Sequence, residues 1–304
     1  MRVLLVRAGA LGDLLLLRPA LAALRAASHS VALIAPARGA APLLREVDEL
    51  FPWERPELVA LLAGQSAGAL GDLLARCDAV VAFTRSDPVR DALAAATGAR
   101  VRVHDPSPPP GRHAAEWLWG AVHDWVGLEM PSLPPLQPSA DEERNAEAIL
   151  ARLPAGFLAL HPGSGSPAKN WPRERFRRLA ERLCPTRPFL LVRGEADTAA
   201  CAPVADDPRA VLASELPLRV LGAALGRSGL FVGNDSGLSH LAAAYGAPTL
   251  ALFGPTDPRC WRPLGAHVAV ARSSNGALQD LDLEEVVSAA RQLLARSGRA
   301  LPSG

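Results

Sequence analysis

The sequence predicts an α/β protein made of two domains, each a doubly wound parallel sheet. Strand-like apolar runs alternate with amphipathic helical stretches along almost all of its 304 residues, which is typical of a parallel sheet covered on both faces. Both halves open with a strand, a glycine-containing turn and a helix. A Pro-rich stretch at 130–138, MPSLPPLQP, predicts a linker. We therefore expect domains at 1–138 and 139–304, facing each other across a cleft.

The first half contains four predicted strands separated by Ala- and Leu-rich helices. The first strand, RVLLVR, meets the turn AGALGD, and a helix is expected from there to about Ala27. The segment at 105–112, DPSPPPGR, interrupts the pattern with four prolines, and the helix HAAEWLWGAVHDWVG follows. The other predicted strands are SVALIA at 30–35, DAVVAF at 78–83 and ARVRVH at 99–104.

The second half repeats the pattern after a helix at about 140–152. Its predicted strands lie in GFLALHPGSG, PFLLVRGEAD, GLFVGNDSG and APTLALFGPT, and WPRERFRRLAERL is a helix with Pro172 in its first turn. The final helix, 282–297, begins with Asp282 as cap and Glu285 in a capping-box position. Packing of this helix back on the first domain is a further expectation.

Composition argues against several classes of function. The 32 basic and 31 acidic residues nearly cancel, so no overall field favours nucleic acid. The four cysteines show neither C-x-x-C pairing nor a histidine at zinc-ligand spacing, which favours reduced thiols in a cytoplasmic protein.

The amino terminus superficially resembles a signal peptide. Arg7, Asp13 and Arg18 interrupt its apolar run, which falls short of the roughly 20 residues needed to span a bilayer. We expect a soluble cytoplasmic protein, with peripheral contact at the inner membrane surface still open to it.

The first candidate site residue is Asp13, which follows Gly9 and Gly12 at the start of a helix. A carboxylate at this position is either a helix cap or a general base that accepts a proton from a hydroxyl group. Both interpretations stay open. A dinucleotide site is disfavoured because the third glycine of that fingerprint is missing and the carboxylate would repel phosphate.

The second candidate is the loop HPGSGSPAKNW at 161–171. Gly163 and Gly165, with Ser164 between them, allow backbone amides to approach an anion. Lys169 is the only lysine in the chain, and its compact charge is suited to phosphate oxygens. Phosphate contact is favoured over an ordinary loop in which one lysine survived by chance.

The third candidate is the run GNDSGLSH, at the start of another helix. Asp235 or Ser236 is expected to cap this helix, and Gly237 permits close approach of a ligand to the free amides. Asp235 is expected either to pair with Lys169 or to accept hydrogen bonds from sugar hydroxyls. His240 lies four residues after Ser236, on the same face of the helix. It is either a ligand contact or a core histidine whose hydrogen bonds are made within the protein.

Two further acids follow the strand PFLLVRG. Glu195 and Asp197 are candidates for binding ribose hydroxyls, with solvated loop acids as the alternative.

Together, the stretches LLVRAGALGDLLLLRPALAALR, LHPGSGSPAKNWPRERFRRLAERL and VGNDSGLSHLAAAYGAPTLALFGPTDP resemble the heptosyltransferase family of lipopolysaccharide core synthesis. The resemblance implies a GT-B fold of two Rossmann-like domains and an inverting, metal-independent glycosyltransferase without a cofactor. It also implies an ADP-activated heptose donor in the C-terminal domain. A lipid-linked or anionic saccharide acceptor would bind the N-terminal domain, where Arg7, Arg18, Arg38 and Arg85 are candidate contacts or surface charges.

The resemblance also assigns roles to the site residues. Asp13 would be the base, and Lys169 would neutralise the donor diphosphate. Asp197 or Glu195 would bind the ribose. A nucleotide-sugar-binding protein or an epimerase of the same fold is the alternative. Phosphate and sugar would be held by Asp235, Ser236, Gly237 and His240.

Overall fold

The computed structural model describes residues 1–194 and 197–302. The chain divides into two compact units, Met1–Leu133 and Pro134–Gly304. The division falls inside the Pro-rich stretch, slightly before the expected boundary at Pro138. Each unit contains one sheet in which every neighbouring pair of strands is parallel.

The first unit is a five-stranded sheet in the order β3-β2-β1-β4-β5. Its strands are β1 Arg2–Val6, β2 Ser30–Ala35, β3 Glu49–Pro52, β4 Ala79–Phe83 and β5 Arg100–His104. Its helices are α1 Leu11–Leu15, α2 Arg18–Ala26, α3 Ala37–Ala40, α4 Pro56–Leu62, α5 Gly68–Ala75, α6 Asp87–Ala96, α7 Ala114–Gly120 and α8 His123–Val126.

The predicted first helix is divided into α1 and α2. Pro19 occupies the first turn of α2, where its missing N–H costs nothing, whereas in a continuous helix it would remove an internal hydrogen bond. The short α1 therefore ends near Leu15, and its first turn places Asp13 beside the end of β1. The helix expected after the proline segment is likewise divided, into α7 and α8.

The second unit is a six-stranded sheet in the order β11-β10-β9-β6-β7-β8. Its strands are β6 Leu158–His161, β7 Phe189–Arg193, β8 Ala210–Ser214, β9 Leu230–Asn234, β10 Thr249–Phe253 and β11 Val268–Arg272. Its helices are α9 Ala140–Leu150, α10 Arg173–Leu183, α11 Thr198–Ala205, α12 Leu218–Gly226, α13 Gly237–Ala244, α14 Pro258–Trp261 and α15 Leu283–Ser297. Short 3-10 turns lie at Pro167–Lys169 and Leu278–Asp280 in this unit, and at Ala41–Leu43 in the first unit.

The second unit has its own apolar core, in which the central strands pack against α10 and α15. Trp171 is buried there, and its indole N–H donates to the carbonyl of Leu281, 2.9 Å away, which ties the segment before α10 to the segment before α15. The buried face of α15 belongs to this core, so packing of this helix on the first domain stays a prediction. Asp282 caps α15 through the amide of Glu284, whereas the sequence suggested a capping box with Glu285.

Two further expectations from the sequence concern the state of the cysteines and the presence of a membrane-spanning helix. All four cysteines are buried and free, as expected for reduced core thiols. Over the part of the chain that the structure describes, no helix is both long and apolar enough to cross a membrane.

Candidate functional site

The strand order of the second sheet places its candidate site at the ends of β6 and β9. These two strands are neighbours in parallel register, with His161 opposite Gly233, and the order of connections reverses between them. In doubly wound sheets, ligands bind outside the carboxyl ends of the strands at such a reversal. The loop that carries Lys169 follows β6, and the segment that begins α13 follows β9.

Lys169 and Asp235 form an ion pair at this edge. The Lys169 Nζ donates to Asp235 Oδ2 at 2.8 Å, and the Thr256 hydroxyl donates to the same oxygen at 2.5 Å. Asp235 is 8% exposed, whereas the side chain of Lys169 is 30% exposed. The pairing that the sequence left open is therefore present, and it brings the ammonium group next to the first residues of α13.

Ser236 occupies the N-cap position, directly before α13, but its side chain does not cap the helix. Its Oγ lies 3.3 Å from Nδ1 of His161, and it makes no side-chain bond to the amides of the first turn. The first N–H groups of a helix have no acceptor within the helix and carry a partial positive charge. Gly237 is the first residue of α13. The start of α13 and the ammonium of Lys169 therefore offer positive charge to the same region.

His161, the last residue of β6, links Ser236 to Asp197. Its Nε2 lies 3.0 Å from Asp197 Oδ2, and the ring is 2% exposed. The same carboxylate oxygen accepts a hydrogen bond from the amide of Gly194 at 3.0 Å. Burial alone would raise the pKa of Asp197, but the hydrogen bonds from His161 and Gly194 and the attraction to the imidazole together lower it below its usual range.

This geometry bears on two sequence-based expectations. A Cβ on Gly163 would lie 2.0 Å from Asp197 Cγ, so this glycine makes room for the carboxylate, and approach of its amide to an anion stays a prediction. Gly165, by contrast, faces open space. Asp197 is buried and bonded to His161, so it is not a solvated loop acid; ribose binding by this residue stays a prediction. Glu195 lies outside the described residues.

Asn234, at the end of β9, fastens both ends of the lysine loop. Its Oδ1 accepts from the amide of Trp171 at 3.1 Å, and its Nδ2 donates to the carbonyl of Pro162 at 2.7 Å. Ser164 is used within the loop, where its Oγ lies 2.7 Å from Asn170 Oδ1. A hydrogen bond from Ser164 to a ligand stays a prediction, and such a bond would compete with this internal one.

His240 lies on α13 and is 7% exposed, which suits a core histidine, and direct ligand contact by this residue stays a prediction.

In the first unit, Asp13 is the third residue of α1 and makes two kinds of contact. Its Oδ2 accepts from the amide of Ala10 at 3.0 Å, and its Oδ1 lies 3.3 Å from the guanidinium of Arg7. Gly12 precedes it in the same helical turn. The carboxylate thus stabilises the helix start and forms an ion pair, while its side chain remains 35% exposed. Both contacts leave the assignment as a base open.

The arginines suggested for an anionic acceptor differ in their surroundings. Arg7 is 2% exposed, and burial lowers its pKa despite the attraction of Asp13. Arg18 is also buried and is paired with Glu46. Neither is a surface charge. Arg85 is exposed and paired with Asp105, and Arg38 is exposed on α3.

Three residues of the site were missed by sequence reasoning: His161, Asn234 and Thr256. Each occupies the last position of a strand or the loop that follows one, which is the signal that could have identified them. Within residues 1–194 and 197–302, no group of three or more His, Cys, Asp or Glu side chains is arranged to hold a metal ion.

Comparison with known sequences gives one family. The profile of glycosyltransferase family 9 (heptosyltransferase) matches residues 90–290, more than half of the chain. Lipooligosaccharide heptosyltransferase 2 of Haemophilus influenzae is 33% identical over 144 residues, which are 43% of this chain and 40% of that protein. Lipopolysaccharide heptosyltransferase 2 of Escherichia coli K12 is 30% identical over 170 residues, which are 52% of this chain and 48% of that protein. In both cases the match spans less than half the length of the relative.

Solved structures resemble the chain over nearly its full length. The glycosyl transferase family 9 protein from Veillonella parvula has a TM-score of 0.83 at 21% identity and covers 97% of each chain. The E. coli ADP-heptose lps heptosyltransferase II gives 0.76 at 24% identity, over 98% of this chain and 100% of that one. The E. coli heptosyltransferase WaaC with ADP gives 0.72 at 20% identity, over the same shares. These likenesses and the two parallel sheets confirm the predicted GT-B fold class.

Proposed function

Because the chain belongs to glycosyltransferase family 9 (heptosyltransferase), we propose that it transfers a heptose or related sugar from an ADP-sugar to a saccharide acceptor of the lipopolysaccharide core or a similar glycan. The names of the structural relatives, one an ADP-heptose transferase and one solved with ADP, support this donor class. Action in the cytoplasm, with peripheral contact at the inner membrane surface, belongs to the same proposal.

The observation that carries the proposal is the position of Lys169 at the start of α13. The departing group of an ADP-sugar is a diphosphate, whose negative charge increases as the glycosidic bond breaks. Lys169 lies 2.8 Å from Asp235, which directly precedes the N-cap residue of α13. An ammonium group and helix amides fixed in advance stabilise such a charge without reorganising during the reaction.

The proposed reaction inverts the anomeric centre in one displacement. The acceptor hydroxyl attacks the anomeric carbon as its bond to the diphosphate oxygen breaks, and Asp13 accepts the hydroxyl proton. Lys169 keeps its ion pair with Asp235 and donates another of its three ammonium hydrogens to the diphosphate, and Asp235 also accepts hydrogen bonds from sugar hydroxyls. The leaving charge is met by these protein groups without a metal ion.

Chemical modification tests donor binding directly. Lys169 is the only lysine of the sequence, so an amine-reactive acylating reagent has this one side-chain target besides the α-amino group of the protein. We expect ADP to slow acylation of Lys169 much more than UDP or GDP does, and the α-amino group to react at an unchanged rate. Peptide mass spectrometry measures both rates in one sample. Equal reactivity of Lys169 with and without each nucleotide would contradict the proposed donor site.

Transfer itself is tested with a substitution of the same lysine. Lys169→Ala should lower the rate of sugar transfer by about 10²- to 10³-fold, the usual effect of removing one group that stabilises a leaving or developing anion. Arg177→Ala removes one exposed positive charge of the second unit and should leave transfer unchanged. Isomerised donor formed without acceptor would indicate an epimerase, and binding without turnover would indicate a nucleotide-sugar-binding protein.

A further inference from the structure

The proposed reaction does not use the partly buried chain of polar groups that runs from Ser236 through His161 to Asp197. Ser236 Oγ lies 3.3 Å from His161 Nδ1, and His161 Nε2 lies 3.0 Å from Asp197 Oδ2. The imidazole therefore connects a buried carboxylate to the hydroxyl at the start of α13.

The carboxylate fixes one of the two imidazole protons. Asp197 is ionised at neutral pH, because the hydrogen bonds it accepts hold its pKa below the usual range even though burial opposes this. An ionised carboxylate only accepts hydrogen bonds, so His161 Nε2 carries a proton and donates it to Asp197. The protonation of Nδ1 then decides what the imidazole does to Ser236.

With neutral His161, Nδ1 has only a lone pair, and the Ser236 hydroxyl donates to it. The hydroxyl oxygen can then only accept hydrogen bonds from a ligand. Oxygens of a diphosphate are acceptors as well, so the two would repel each other. Rotation of the hydroxyl toward phosphate would leave the lone pairs of Nδ1 and Oγ facing each other with no hydrogen between them, which is costly for a buried nitrogen.

We propose that His161 takes up one proton from solvent at Nδ1 when a diphosphate binds, so that Ser236 accepts from His161 and donates its own hydrogen to a phosphate oxygen. The inference rests on the proposed function, because it assumes that the donor diphosphate lies at the start of α13. His161 is thereby a positioning residue, and the nucleotide diphosphate is bound with a linked proton.

The charges around His161 favour this uptake. Asp197, at the start of α11, accepts from the ring, and the bound diphosphate adds negative charge on the Ser236 side. Lys169 and Asp235 neutralise each other in the unliganded protein. Arg193, at the end of the neighbouring β7, opposes the uptake.

His240 lies on α13, and Cys201 on α11 interacts with Asp197 and Arg193. Burial raises the pKa of Cys201 to about 12, so this thiol stays neutral.

The test is calorimetric titration of the full chain with ADP-ribose, whose diphosphate is esterified at both ends and has no ionisation of its own near neutral pH. The heat of binding is measured from about pH 6 to about pH 9, a range that includes the pH values at which histidines change charge, in two buffers of different ionisation enthalpy. We expect the difference in heat to correspond to uptake of up to one proton. We also expect Kd to rise by up to about tenfold per pH unit above neutrality.

Two variants and one control locate the proton. His161→Asn and Asp197→Asn should bind ADP-ribose with little proton uptake and a flatter dependence of Kd on pH, and thermal unfolding verifies that they are folded. The matched control is His267→Asn, because His267 is an exposed histidine of the same unit, and it should behave as the wild type. Binding without uptake by the wild type, or uptake that persists in a folded His161→Asn variant, would overturn the inference and leave the proposed function intact. Absence of any binding by the wild type would overturn both.

Discussion

At the scale of single residues, Asp197 of the second unit is buried and held by several neighbouring groups. One oxygen of its carboxylate accepts hydrogen bonds from an imidazole and a backbone amide. Gly163 and Gly194 lie so close that a Cβ on either would approach the carboxylate to within 2.0 and 2.6 Å. The sequence placed this acid after a strand, which is correct, but it gave no indication that two glycines 31 positions apart are both used to accommodate it.

The ionisation of Asp197 predicts a pH-dependent contribution to stability. Because its pKa is lowered on folding, the carboxylate stabilises the folded state above the unfolded pKa of about 3.9, and this contribution is lost as pH falls through the lower folded value. Asp197→Asn should therefore lower the free energy of unfolding by about 1.5–3 kcal/mol at pH 7, the usual value of a hydrogen bond to a charged group.

Urea unfolding of wild type and variant at neutral pH and at about pH 3 measures this difference. The gap between the two proteins should narrow in acid, because below the unfolded pKa the unfolded wild-type chain binds a proton that the folded carboxylate does not bind. A gap of the same size at both pH values would show that packing against the glycines, and not charge, accounts for the loss.

At the scale of elements, the lysine loop at 162–171 is a segment held at both ends by one buried amide. Asn234 is fully buried, accepts from the amide of Trp171 and donates to the carbonyl of Pro162. The loop therefore has a fixed position relative to the start of α13, although its central residue Gly165 is exposed and faces open space. The position of Lys169 depends on this attachment as well as on its own ion pair.

Asn234→Ala should release the loop while leaving the sheet in place. The substitution leaves two buried backbone groups without their partner, at about 1–3 kcal/mol each, and both belong to the loop. Amide exchange of Trp171 should become faster, and Lys169 should be acylated faster in the absence of nucleotide. Hydrogen exchange of loop peptides measures the first effect, and peptide mass spectrometry measures the second.

Asn275→Ala is the matched control for this prediction. Asn275 also bonds neighbouring groups in a loop of the second unit, those of Ser273, Ala277 and Asp280, but this loop does not carry the lysine. Its loss should leave the reactivity of Lys169 unchanged. Equal acceleration by both substitutions would indicate a general loosening of the unit, not release of one loop.

The elements that sequence reasoning found differ physically from those it missed. The central strands are continuous apolar runs, because they are buried on both faces, and all were predicted from that pattern. The strands β3, β8 and β11 were missed. All three lie at sheet edges, have only four or five residues and are less completely buried than the central strands. Each has a polar residue at one end, and two of them contain alanines, so they lack the bulky apolar run that marks the central strands. Contacts such as that of His161 with Asp197 depend on loop geometry, which no local pattern specifies.

At the scale of the whole molecule, the candidate groups are divided between two units with separate apolar cores. Lys169, Asp235, Ser236 and His161 belong to the second unit, and Asp13 belongs to the first. Nucleotide binding should therefore depend on the second unit, whereas proton transfer from the acceptor should depend on Asp13. The two properties should respond separately to substitution.

Substitution of Asp13 tests this division and separates its role as a base from its role in the helix. Asp13→Glu keeps the negative charge beside the buried Arg7, and it displaces the carboxylate by one methylene group. Sugar transfer should fall by about 10²-fold, the usual cost of misplacing a reacting group by about 1 Å, with the affinity for ADP unchanged and the free energy of unfolding altered only slightly. Initial rates of transfer, calorimetric titration with ADP and urea unfolding measure the three quantities.

Asp48→Asn is the control that makes the outcome of Asp13→Glu decisive. Asp48 makes the same pair of contacts as Asp13, accepting from a backbone amide at 2.7 Å and pairing with Arg25, but it does so at the amino end of β2, away from the edge where ligands bind. Its loss should lower stability, because its pKa is lowered by the hydrogen bond from Val31, and leave transfer unchanged. If Asp13→Glu lowers stability and leaves transfer unchanged, as Asp48→Asn should, the carboxylate of Asp13 acts only at the start of its helix and the proposed base lies elsewhere.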